Sequence, residues 1–217
     1  MRILLGILSL SLCWLGGNAQ SLDSCITHTP RHVVVIGSST AAGTGASVPD
    51  SAWVNRYRRY LKSLHPGYEV SNLAKGGYQT YHLMPTGFVP PPGRTQPDTL
   101  RNITQALSLD PDAIIVNLPS NDAAASIPVS EQMQNFRAMQ ALAKAQKVSF
   151  WVCTPQPRIF DSSKVAIQWA LLDSVESDFA PKVLDFWDQI AEPSGLPSPL
   201  YDAGDGIHLN DLGHRIL

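Results

Sequence analysis

Cysteine is scarce in this chain of 217 residues: Cys13, Cys25 and Cys153 are the only three. They show no metal-ligand spacing, and so few cannot build a disulfide framework. A dominant charge is also missing. Sixteen Lys and Arg stand against eighteen Asp and Glu, a net charge of −2. With no Lys/Arg run, nothing points to nucleic acid as a partner. No apolar run is long enough to span a bilayer, so stable membrane insertion is not expected. There is no internal repeat and no second composition regime, and the length suits one domain with a full hydrophobic core.

The first stretch reads as a processing signal. Met1 and Arg2 form a short positive region, Ile3 to Leu15 is apolar, and Gly17-Asn18-Ala19 offers small residues before Gln20. Residues 1–19 are therefore expected to be a signal peptide and 20–217 the domain, with the protein secreted or periplasmic. Removing 19 of 217 residues leaves 198, and loss of Arg2 takes the net charge from −2 to −3. Cys13 invites lipid anchoring, but the bulky Leu12 before it argues against a lipobox. Export would permit a Cys25–Cys153 disulfide, which sequence spacing alone does not decide.

What the chain does have is alternation. Apolar β-rich runs are predicted at His32–Ile36, Tyr68–Leu73, Ala113–Leu118, Val148–Cys153 and Lys182–Phe186. Helical patterns lie between them at Ser51–Leu64, Leu100–Leu109, Ser130–Gln146 (Ser130 as N-cap) and Val165–Phe179, with a last helix from Asp211. This predicts an α/β fold, a three-layer α/β/α sandwich around a parallel sheet of about five strands. In such sheets ligands bind beyond the carboxyl ends of the strands, and Ser39, Gly77, Asn121 and Thr154 each follow a predicted strand. Met84–Asp98 is long for a connection and suggests a lid or a substrate-facing loop. The final helix is short, with Leu212, Ile216 and Leu217 expected to dock it. Either residues beyond Leu217 are missing or this end frays.

Four short segments could carry chemistry, and each also has a plainer reading. Gly37-Ser38-Ser39-Thr40 breaks an apolar strand and could expose a nucleophile or simply cap a helix around a phosphate. Gly76-Gly77 could be only a turn, and Pro119-Ser120-Asn121-Asp122 only an Asx turn. In Asp205-Gly206-Ile207-His208 one loop delivers a carboxylate and an imidazole together, the arrangement that orients a base toward a nucleophile.

Taken in order, these segments resemble the SGNH (GDSL-type) hydrolase family, over essentially the whole chain after the leader. The family's Gly-Asp-Ser-Leu block is similar to Gly37-Ser38-Ser39-Thr40 and implies Ser39 as nucleophile. Asn72-Leu73-Ala74-Lys75-Gly76-Gly77 matches its second block, with Gly77 an oxyanion donor. Pro119-Ser120-Asn121-Asp122 resembles Gly-x-Asn-Asp, with Asn121 the side-chain donor. Asp205-x-x-His208, followed by Leu209-Asn210-x-x-Gly213, matches the last block. Ser38 departs from the family's acidic residue and Pro119 from its glycine, so the shapes of those loops could differ. The resemblance implies a Ser39–His208–Asp205 triad and an oxyanion hole of Ser39 N–H, Gly77 N–H and the Asn121 amide. It implies no metal or organic cofactor.

The implied substrate is a small acyl ester. Export and a rim rich in Ser, Thr, Asn, Gln and Tyr favour acetyl groups on a polysaccharide or oligosaccharide. A lipid or thioester hydrolase would need an apolar channel, for which Leu83–Pro90 is the candidate. A catalytically silent carbohydrate-binding protein is a third reading. His28, His32, His65 and His82 lack an Asp at triad spacing, although His82 could touch substrate. His214 is expected to be a solvated helix residue, Asp122 to bond within its own loop, and Trp53 and Trp169 to be core. Trp187 reads as either core or a ligand platform.

Overall fold

A computed structural model describes residues 32–217. The expected leader, Cys25 and His28 lie outside the described residues. Five strands form one all-parallel sheet in the order β2-β1-β3-β4-β5: β1 (His32–Gly37), β2 (Glu69–Asn72), β3 (Ala113–Asn117), β4 (Ser149–Cys153) and β5 (Val183–Leu184). Seven helices accompany them: α1 (Ser39–Ala42), α2 (Trp53–Leu64), α3 (Ile103–Leu107), α4 (Asn121–Ala124), α5 (Val129–Ala145), α6 (Ser162–Phe179) and α7 (Asp211–Ile216).

The central strands are apolar at successive residues because both faces are covered. Val34, Ile36, Ile114 and Val116 pack with Ile103, Phe136, Met139, Leu171 and Val175 of α3, α5 and α6. Their neighbours Val33, Val35, Ala113 and Ile115 pack on the other face with Trp53, Val54 and Leu61 of α2. This is the expected three-layer sandwich.

Several boundaries differ, and capping explains most of them. The helix anticipated over 100–109 is only Ile103–Leu107, because Asn102 caps it and accepts from Gln105 N. α5 starts one residue early, so Pro128 and not Ser130 is its N-cap. α6 starts at Ser162, where Asp161 accepts from Ser163 N and Lys164 N. Trp169 is not core: it is 37% exposed and meets the buried Trp187 edge-on, so Trp187 takes the core option. α7 docks differently from expectation too. Leu212 is exposed while Gly213 and His214 are buried, and Leu217 packs against the α2-side core. His214, read from sequence as solvated, is fully buried.

Candidate active site

The turn after β1 is shaped by glycine. A Cβ on Gly37 would lie 2.1 Å from Asn117 O, so only glycine lets β1 and β3 meet this closely at their carboxyl ends. Ser38 N then donates to Asn117 O, and Ser39 opens the one-turn α1, which ends at left-handed Gly43. Ser39 is 8% exposed, at the floor of the rim. The turn after β2 crosses above it: a Cβ on Gly76 would sit 3.8 Å from Ser39 Cβ, and Gly77 has positive φ with open space around it.

Asn121 begins α4 after β3. Its Nδ2 donates to Ser38 Oγ (2.7 Å) and to Tyr78 O (3.0 Å), tying together the residues beside Ser39 and Gly77. Both acceptors are protein groups, so the amide is engaged in this state. Its neighbour Asp122 bonds beyond its own loop as well as to its own backbone. The buried carboxylate reaches the other strand-end turn and accepts from Thr80 N (3.0 Å) and Thr80 Oγ1 (2.7 Å). Burial pushes its pKa up to about 6, against the pull of those bonds.

The Asp–His loop is closed on itself. Asp205 Oδ1 accepts from Ile207 N (2.9 Å) and His208 N (2.8 Å), while Oδ2 lies 2.7 Å from His208 Nδ1. A carboxylate only accepts, so Nδ1 carries the proton and Nε2 is left as the basic nitrogen. Burial raises the Asp205 pKa, but the backbone and imidazole donors outweigh it and bring the group down to about 2. The loop leans on the segment after Ser39 at Gly45, where a Cβ would lie 2.2 Å from Leu209 O and 3.1 Å from His208 Cβ. Ser39 and His208 are not hydrogen-bonded to each other in this structure.

Some expected rim residues are framework. Thr154 is buried, and its Oγ1 accepts from Phe186 N at 2.7 Å. His82 stacks on Tyr78 with ring centroids 4.5 Å apart, and its Nδ1 accepts from Gln79 N. Leu83 and Met84 belong to the core, and Phe88 packs against it. The segment from Met84 to Asp98 is pinned back by Arg94, which donates to both oxygens of Glu131 at 2.7 and 2.8 Å. Gln156 was missed from sequence. It accepts from Thr40 Oγ1 (2.8 Å) and donates to Ile207 O (3.0 Å), stitching α1 to the Asp–His loop. Its only sequence signal is its place after β4. A polar depression lined by Asp110, Pro111, Lys147 and Ser149 lies at the amino ends of β3 and β4, the opposite edge from Ser39.

The GDSL-like lipase/acylhydrolase family's sequence model matches residues 35–216. The chain belongs to this family. It is an ester-hydrolysing enzyme. No curated protein sequence matches it. Among solved structures it is similar to a GDSL-like lipase from Bacteroides thetaiotaomicron VPI-5482 (17% identity, 86% of this chain and 83% of that one, TM-score 0.61). It is also similar to the acetyl xylan esterase AlAXEase (18% identity, 85% and 94% covered, TM-score 0.62). A third is the psychrotrophic esterase EstA from Pseudoalteromonas sp. (14% identity, 86% and 91% covered, TM-score 0.59). These similarities carry the fold.

Proposed function

We propose that this chain is a secreted serine esterase that removes short acyl groups, acetyl foremost, from a carbohydrate. The observation that carries the triad is the 2.7 Å Asp205–His208 pair, packed at Gly45 against the loop that follows Ser39 and α1. His208 Nε2 takes the Ser39 proton as Oγ attacks the ester carbonyl, and the carbonyl electrons move to oxygen. Ser39 N–H, Gly77 N–H and the Asn121 amide surround that oxyanion; Asn121 Nδ2 exchanges one of its present acceptors, Ser38 Oγ or Tyr78 O, for it. Collapse expels the alcohol, which leaves with the proton from His208. Water, deprotonated by the same imidazole, then releases the acid and frees Ser39.

Two observations favour a short acyl group. In the Leu83–Pro90 segment, the candidate for an acyl channel, Leu83 and Met84 are committed to the core and Phe88 packs against it, while Val89 faces solvent. The protein of similar fold named an acetyl xylan esterase gives the carbohydrate reading its support. Hydrolysis rates across acetyl, butyryl, octanoyl and palmitoyl p-nitrophenyl esters, with acetylated xylan alongside, test it. The reading expects acetyl esters to be fastest and xylan to lose acetate. Preference for octanoyl or palmitoyl would transfer the enzyme to the lipid and thioester hydrolases. Ser39→Ala is expected to abolish turnover with the fold intact; normal turnover would remove Ser39 as nucleophile.

A further inference from the structure

We propose that His214 and Asp211 of α7 are positioning residues that hold His208 at its working distance from Ser39. The inference rests on the triad reading above. The His208 side chain bonds to Asp205, which moves with it, so the pair is placed relative to Ser39 by what holds the surrounding backbone: Gln156 on Ile207 O from one side and α7 from the other. A continuous path runs on the α7 side. Thr44 N donates to Ser39 O (2.9 Å), His214 Nε2 meets Thr44 O (3.0 Å), and His214 N donates to Asn210 O (2.9 Å), two residues past His208.

The ring is bonded at both ends. A carbonyl only accepts and a backbone N–H only donates, so Nε2 carries the proton to Thr44 O while Nδ1 accepts from Trp53 N at 3.4 Å. Burial lowers the pKa of this imidazole, consistent with a neutral ring. The charged and titratable groups around it are Asp211 on its own helix, Arg56 on α2 and His208. Docking alone would be met by a leucine at lower desolvation cost; a bonded histidine fixes a distance and a direction as well. Asp211 adds a second tie at the solvent side. Its Oδ1 accepts from Ser47 N (2.8 Å) and its Oδ2 from Ser47 Oγ (2.5 Å). Between these ties lies Gly45, the point of closest backbone approach.

The test compares His214→Leu, His214→Gln and Asp211→Ala with Ser39→Ala and with Met139→Ala, a fully buried residue on the other face of the sheet. Each is assayed where circular dichroism shows it folded, for kcat and KM on p-nitrophenyl acetate and for the rate at which a p-nitrophenyl phosphonate modifies Ser39. His214→Leu is expected to lower kcat and the phosphonylation rate by about tenfold or more, with KM within about twofold of wild type. His214→Gln keeps a donor for Thr44 O and should recover most of the loss. Asp211→Ala should show a smaller fall, again in kcat. Met139→Ala should lower Tm and leave kcat unchanged. Wild-type kcat in folded His214→Leu, or in Asp211→Ala if the former does not fold, overturns the proposal. So does an equal loss of kcat in Met139→Ala. A Ser39→Ala protein that still turns over removes the triad reading itself, a failure distinct from normal turnover in the α7 variants alone.

Discussion

Asn121 has one amide nitrogen and, in the resting site, two acceptors for it. In the proposed mechanism both hold it beside Ser39 before substrate arrives, so little reorganisation is needed when charge develops. Asn121→Ala should lower kcat by about 100-fold or more, near 3 kcal/mol of transition-state stabilisation, with little change in KM. Steady-state kinetics on p-nitrophenyl acetate check it. In the same proposal Asp205 acts through the imidazole. Asp205→Asn can present an N–H to Nδ1, favouring the tautomer that puts the single ring proton on Nε2 and blocks the base. The expected loss in kcat is about four orders of magnitude, read in the same assay.

At the scale of elements, the site depends on how closely two loops from opposite ends of the chain approach. Gly45 has a φ of +93° and faces Leu209 O where a Cβ would stand 2.2 Å away. Gly45→Ala therefore meets both backbone strain and a clash with the segment carrying His208. It should destabilise the fold by about 1–3 kcal/mol and lower kcat more than KM. Urea titration and kinetics on the same sample separate the two effects. The segment from Met84 to Asp98 has the opposite character. Its tie, Arg94 to Glu131, is about a quarter exposed on each side chain and contributes modestly. Arg94→Ala should change stability little and leave acetyl-ester turnover unchanged. A large fall in turnover would make this segment part of the site after all.

For the molecule as a whole, buried ionisable groups set how stability responds to pH. The Asp122 carboxyl, lifted by burial to about 6, binds a proton in the folded state well before the unfolded chain does near its ordinary 3.8. Stability due to this group therefore rises as pH falls from above 6 toward 4. His214 opposes it: burial lowers its pKa, so its contribution is lost as pH falls below the unfolded value of 6.5. Asp205 and Glu131, both held down to about 2, contribute stability that disappears only below about pH 4. Subtracting the Tm–pH curve of Asp122→Asn from that of wild type isolates the first of these. The difference should favour wild type increasingly from pH 7 to pH 4.5, and a flat difference would show that Asp122 does not titrate in that window.

The sheet, its covering helices and the four segments at strand ends are legible in the chain alone. Those signals are local: continuous apolar runs, helical periodicity, and Asp205 within three residues of His208, so that one turn delivers both. The family resemblance assigned the roles. What folding decided was which polar side chains are enclosed and what they bond. His214 meets Thr44 from 170 positions away, and Gln156 joins Thr40 to Ile207 across 116 and 51. Asp122 reaches Thr80 across 42. No window of sequence contains both members of such a pair. Whether a histidine on a short terminal helix faces solvent or a carbonyl is settled by the loop that packs against it, and that loop was placed by β1.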